Sequence, residues 1–154
     1  MTTHDATIAE RLHAVPWFAA CTDDQLDEIA RIAERLHVQE GEVILREGRL
    51  GRELFIILAG TVVVTRGDRV VNEWGPGGYF GELAAIEAAP RSATVTATSD
   101  LDVLIVGPRE FEAMMDIPGF RNALLVGMSR RIREADDKLA EIAERDVGEG
   151  SPVS

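Results

Sequence analysis

Between Leu36 and Val106 the chain breaks into short β-rich runs, none longer than six residues, separated by glycine-bearing turns. The runs fall at residues 37–39, 43–46, 54–58, 62–66, 69–74, 94–97 and 103–106. Gly41, Gly48, Gly51, Gly60, Gly67-Asp68, Gly75-Pro76-Gly77-Gly78 and Ser99-Asp100 punctuate them. Strands this short, recurring about every eight to twelve residues, predict an antiparallel sandwich or roll. Gly67-Asp68 between two β-rich runs reads as a two-residue hairpin turn. Arg66-Gly67-Asp68 also spells an adhesion tripeptide, but turn chemistry accounts for it.

Helical patterns flank this region. Ile8 and Leu12 mark a short amphipathic piece that ends near Val15-Pro16-Trp17-Phe18. Thr22-x-x-Gln25 is a capping box, and Leu26, Ile29, Ala30, Ala33 and Leu36 then recur three and four apart. Gly107-Pro108 opens a short helix through Asp116, with Phe111, Met114 and Met115 facing inward. Pro118 opens a longer one. In it Leu125, Ile132 and Leu139 recur at seven, as do Met128, Ala135 and Ile142, which makes three heptads of an a/d seam. That face suits a helix lying on its own roll, a parallel dimer seam or a mobile lid. The expected organisation is one domain over 1–147, with a β-roll over 36–106, C-terminal helices over 108–146 and a disordered tail over 148–154.

One stretch interrupts the strands. Residues 77–95 run from Gly77-Gly78 through Tyr79-Phe80-Gly81-Glu82-Leu83-Ala84 to Pro90-Arg91-Ser92-Ala93-Thr94-Val95. Some fifteen residues of helical excursion between strands is the kind of connection that carries function. A glycine-led helix start offers unobstructed N–H groups to an anion. Arg91 is the only cation in the stretch and can grip an anion bidentately. Glu82 accepts only, so it suits a sugar hydroxyl. A phosphorylated ribose would satisfy all three; the competing explanation is an exposed Glu82–Arg91 ion pair of little consequence.

Composition narrows the field. The 154 residues suffice for one domain that buries roughly 68–70% of its unfolded surface. A net charge of −11 and a pI near 4.7 argue against a nucleic-acid surface, so any anion must be held by local groups. The single cysteine, Cys21, rules out an intrachain disulfide and fits a reducing compartment. No signal-peptide pattern opens the chain, and the longest apolar run, residues 54–59, falls far short of the ~20 residues of a membrane span. A soluble, cytoplasmic protein is expected, and fifteen arginines against one lysine hint at a bacterial source. His4, His13 and His37 are scattered, which argues against a metal-binding barrel, and no P-loop is present. No catalytic constellation emerges.

The segments 80–84 and 90–95 closely resemble the phosphate-binding cassette of the cyclic nucleotide-binding domain family. The upstream run from Glu47-Gly48 through Glu53-Leu54-Phe55-Ile56-Ile57-Leu58-Ala59-Gly60-Thr61-Val62-Val63-Val64 does the same, and the likeness covers roughly residues 10–145. It implies a mainly β fold: an eight-stranded antiparallel β-roll, jelly-roll-like, with N-terminal helices, a hinge helix and a long C-terminal lid or dimer helix. It also implies a regulatory sensor without enzymatic activity or cofactor, whose ligand is cyclic AMP ahead of cyclic GMP. By position, the backbone around Gly81, Leu83 and Ala84, with the Ala93 amide, would hold the phosphate. Arg91 would neutralise it, Glu82 would take the ribose 2′-hydroxyl, and Ser92 would reach phosphate or purine. Val64 and Val71 would wall the base and Arg131 would contact the purine. Gly78 and Ala135 depart from the family pattern, which has aspartate and, in catabolite activators, threonine there. No helix-turn-helix follows the last helix. The expected partners are therefore the nucleotide, an unknown downstream protein and a second copy through the C-terminal helix, with no nucleic acid or membrane. A ligand-free dimerisation module of the same fold is the alternative.

Overall fold

The computed structural model describes residues 2–13, 15, 18–19, 21–81 and 89–150. Eight strands form two four-stranded antiparallel sheets: β1 (Glu34–Val38), β2 (Val43–Leu45), β3 (Leu54–Ala59), β4 (Val62–Arg66), β5 (Arg69–Trp74), β6 (Tyr79–Phe80), β7 (Thr94–Ala97) and β8 (Leu101–Val106). One sheet has the order β1-β8-β3-β6 and the other β2-β7-β4-β5. Helices α1 (Thr2–His13) and α2 (Asp23–Ile32) precede the roll, and α3 (Pro108–Met115) and α4 (Pro118–Gly150) follow it.

The strand β3 shows why this order of layers forms. Its residues are apolar without alternation because both of its faces are covered. Leu54, Ile56 and Leu58 join the helical core of Ile8, Leu12, Leu26, Ile29, Met114 and Phe120. Phe55 and Ile57 point the other way, into the core between the sheets with Val62, Val64, Phe80 and Val95. The helices therefore pack on one sheet and leave the second sheet free to line a pocket.

Local chemistry sets the boundaries. The α2 capping box is present in both directions: Gln25 N–H donates to Thr22 Oγ1 at 3.2 Å and Thr22 N–H to Gln25 Oε1 at 2.9 Å. Leu36, expected on the α2 face, instead lies in β1 and is 40% exposed. The helix ends at Ile32 because Ala33 turns extended, and pairing with β8 then supplies the backbone partners that another turn would have supplied. The two-residue strand β6 carries no periodicity that a sequence could show; it exists because Phe80 and Tyr79 pair with Phe55 and Ile56. Helix α3 starts with Gly107 as cap and proline in its first turn, and buries Phe111 and Met114. Phe120 stacks on Phe18 and meets Phe111 edge-on, which anchors the start of α4. Helix α4 continues to Gly150, into what the sequence suggests is a tail, since no proline lies between Pro118 and Pro152 and Gly148 costs only about 1 kcal/mol. Among the described residues, no helix is long and apolar enough to cross a membrane.

Asp102 of β8 ties the N-terminal helix to the roll. It accepts from Arg35 at 3.0 Å and Arg11 at 3.2 Å, with His37 Nδ1 at 3.4 Å. Burial alone would raise this carboxyl, but the hydrogen bonds from Arg35, Arg11 and His37 outweigh it and hold it below the usual carboxylate range. A depressed folded value means stability that is present above the unfolded value, near 3.9, and is lost as pH falls through the folded one. Asp102→Asn is therefore expected to cost about 0.5–1.5 kcal/mol at neutral pH, the partly exposed partners keeping it modest. Urea melts of the two proteins should converge as pH drops below about 4.

Candidate functional site

The interrupting stretch and the loop before β3 are sewn together through Arg91. Its backbone N–H donates to Arg49 O at 2.9 Å, and Gly48 N–H donates to Arg91 O at 2.8 Å. Glu47 N–H adds a bond to Thr94 Oγ1 at 3.0 Å. These bonds hold the Arg91 side chain inside the protein, where it is the buried charged residue of the described core, 6% exposed.

Its guanidinium sits between two glycines. Nη1 donates to Gly81 O at 3.4 Å, and Nη2 lies 3.5 Å from Glu53 Oε1. A Cβ on Gly51 would stand 2.8 Å from Nη2. Gly81, at φ +87°, would place a Cβ 2.5 Å from Glu53 O and 3.0 Å from Nη1. Only glycine permits the backbone to approach the cation this closely.

Arg91 faces a cavity of ≈ 430 Å³, within the ~300–1,000 Å³ of small-ligand sites. Leu45, Val64, Phe80 and Val95 give it apolar walls, while Arg66, Asn72, Ser92 and Arg131 add polar groups. Among the described lining residues there is no carboxylate, although the chain carries a net charge of −11. Three arginines around this apolar hollow concentrate positive charge locally in an acidic protein.

Helix α4 reaches the cavity through Arg131. Its Nη2 donates to the Tyr79 carbonyl. Its guanidinium carbon lies 4.4 Å from the Trp74 ring centroid and 3.7 Å from that of Tyr79. Trp74 in turn stacks on Phe80 at 6.4 Å, and Phe80 on Phe55 at 5.0 Å. This aromatic ladder runs from the inter-sheet core to the cation on α4 and fixes both.

Of the residues singled out in the sequence, Gly81, Arg91, Ser92, Ala93, Val64, Val71 and Arg131 all line this one cavity. Glu82, Leu83 and Ala84 lie outside the described residues. Ala135 lines an adjoining hollow of ≈ 460 Å³ that shares Arg66, Asn72, Trp74 and Arg131.

Sequence reasoning missed Arg66, Asn72, Trp74 and Phe80. Arg66 was legible, because it lies two residues beyond Val64 on β4 and therefore on the same face. Asn72 was not. Counting back from the two-residue turn sets Val64 opposite Val71, but the ladder slips so that Val64 pairs Asn72 and Val71 is left unpaired. That bulge turns both Val71 and Asn72 toward the cavity.

Comparison with known proteins adds to this geometry. The family description "Cyclic nucleotide-binding domain" matches residues 35–117. The chain is 30% identical over 127 residues to a cAMP-dependent protein kinase regulatory subunit of Hypocrea atroviridis, covering 81% of this chain and 28% of that protein. It is 39% identical over 101 residues to a cyclic nucleotide-gated potassium channel of Rhizobium etli, covering 66% and 28%. The chain thus spans little more than a quarter of the length of these relatives. Among solved structures, the Thermus thermophilus catabolite activator protein superposes with a TM-score of 0.75 at 27% identity, over 83% of this chain and 63% of that one.

Proposed function

Since the chain belongs to the cyclic nucleotide-binding domain family, we propose that the Arg91 cavity binds a cyclic nucleotide reversibly and serves as a regulatory sensor. The observation that carries this reading is the buried Arg91 guanidinium, caged by Gly51 and Gly81 and facing a cavity of ligand size. In this reading Arg91 pairs with the cyclic phosphate. The amides around Gly81, Leu83, Ala84 and Ala93 cradle its oxygens, and Glu82 accepts from the ribose 2′-hydroxyl. Ser92 stands beside phosphate and purine, Val64 and Val71 wall the base, and Arg131 contacts the purine. Trp74 and Asn72 join the same wall.

In this reading cyclic AMP comes before cyclic GMP. Ligand entry draws α3 and α4 closer, a population shift set by the differential affinity of the closed state. Trp74 reports on this, because Arg131 stacks on it directly. Titrating each nucleotide into a Trp17→Phe variant while following Trp74 emission tests both points. Saturable change at lower cyclic AMP than cyclic GMP supports the reading; no change with either nucleotide contradicts it.

The output surface is the heptad face of α4. Leu125, Ile132, Leu139 and Ile142 are 49–63% exposed, whereas Phe120, Ala123 and Leu124 of the same helix are buried. The helix is about 50 Å long and its residues 132–145 are all exposed, so its apolar seam suits a second copy of the chain. This observation favours the dimerisation reading alongside ligand binding. Ile132→Asp removes about 1.5–3 kcal/mol of burial per chain and adds a charge. Sedimentation should show a dimer for the wild type and at least a roughly 100-fold weaker one for the variant; equal association would exclude the seam.

A further inference from the structure

Two hollows meet at the Arg91 guanidinium. The ligand cavity is one; the other, of ≈ 310 Å³, is lined by Arg46, Arg49, Leu50, Gly51 and Glu53. Glu53 lines the second and not the first, so its carboxylate touches Arg91 from the side away from the ligand. We propose that Glu53 is a resident competitor for Arg91, a built-in counter-charge that lowers the site's affinity for an anion. This rests on the cyclic nucleotide reading for its ligand, but not for its electrostatics.

Glu53 could instead orient Arg91, and the geometry speaks against that. The Nη2–Oε1 distance of 3.5 Å exceeds the 2.7–2.9 Å of a tight charge-assisted bond. Orientation is already supplied by the backbone bonds of Arg91 to Arg49 and Gly48, by the Gly81 carbonyl, and by the close passage of the Gly51 and Gly81 backbones. What Glu53 adds is negative charge, on a side chain that stays 46% exposed and hydrated. When a phosphate enters on the opposite side, that charge remains a few ångströms away and repels it, while its hold on Nη2 must be shared.

The test is Glu53→Gln, which keeps shape and removes charge. Calorimetric titration of cyclic AMP should show binding about 3- to 20-fold tighter than in the wild type. Inorganic phosphate, followed as the rise in melting temperature per concentration step, should protect the variant more than the wild type. Affinity and protection that are unchanged or weaker would overturn the proposal, and weaker values would make Glu53 a positioning residue. If the wild type binds no cyclic nucleotide, the functional reading fails and the phosphate comparison alone decides the role of Glu53. Because Glu53 is half-exposed, the variant should melt close to the wild type, which separates a charge effect from misfolding.

Discussion

Arg91→Ala is expected to weaken cyclic AMP binding by about 30- to 4,000-fold. The figure follows from a loss of about 2–5 kcal/mol when one member of a desolvated, hydrogen-bonded charge pair is deleted, at 1.4 kcal/mol per tenfold. The guanidinium is already out of water in the free protein, with its side chain 5% exposed, so much of its desolvation has occurred before the ligand arrives. Deleting it leaves a phosphate facing Leu45, Phe80 and Val95 with no buried counter-charge beside it. Arg91→Lys should recover part of the loss, as a point charge without the planar fork. Folding should suffer far less, by about 1–2 kcal/mol, because Glu53, one of its partners, is half-exposed and can be hydrated. Titration calorimetry with a parallel thermal melt separates the two quantities. If Arg91 were only a structural ion pair, the melt would move and the titration would not.

Gly81→Ala should be the most damaging conservative change in the site. At φ +87° a side chain costs about 1–3 kcal/mol in backbone strain alone. The added Cβ would also stand 2.5 Å from Glu53 O, a rigid backbone atom, and 3.0 Å from Arg91 Nη1. Relieving that overlap must move either the start of β3 or the guanidinium, so we expect a stability loss of about 2–4 kcal/mol. A loss of affinity of at least about tenfold should accompany it, matching a displaced charge-assisted contact of about 1.5 kcal/mol or more. Gly67→Ala is the control. Gly67 has φ +57° in the β4–β5 turn with nothing within 4 Å, so only the conformational cost applies, and binding should be unchanged. Denaturant melts of the two variants check this; equal losses would contradict the assigned overlap.

The strands that sequence could place are those whose turns speak locally. Gly67-Asp68 fixes the β4–β5 hairpin, and both strands begin and end where the alternation and the turn say. The α2 start was equally legible, because a capping box is a contact between residues three apart. Its end was not: Ala33 and Leu36 fit a helix as well as a strand, and pairing with β8, about 68 residues later, decides. The same holds for β6, which depends on β3.

For the site, Arg91 stood out in the sequence as a lone cation behind a glycine-led helix start, and the structure buries it against Gly51 and Gly81. Arg131 needed the resemblance, since nothing in the spacing of α4 says that residue 131 turns toward Trp74 while residue 132 faces solvent. Asn72 needed the bulge, and Glu53 needed the contact itself. These are long-range facts, set by how the elements meet, and no local pattern encodes them.

The cavity around Arg91 is expected to hold one cyclic nucleotide per chain. Calorimetric titration of cyclic AMP into protein refolded from denaturant, and so freed of any carried nucleotide, measures it directly. Saturable heat with a stoichiometry near one per chain, abolished or strongly weakened in Arg91→Ala, is the result predicted. No heat with cyclic AMP or cyclic GMP across the micromolar to millimolar range, in protein that melts cooperatively, would contradict it.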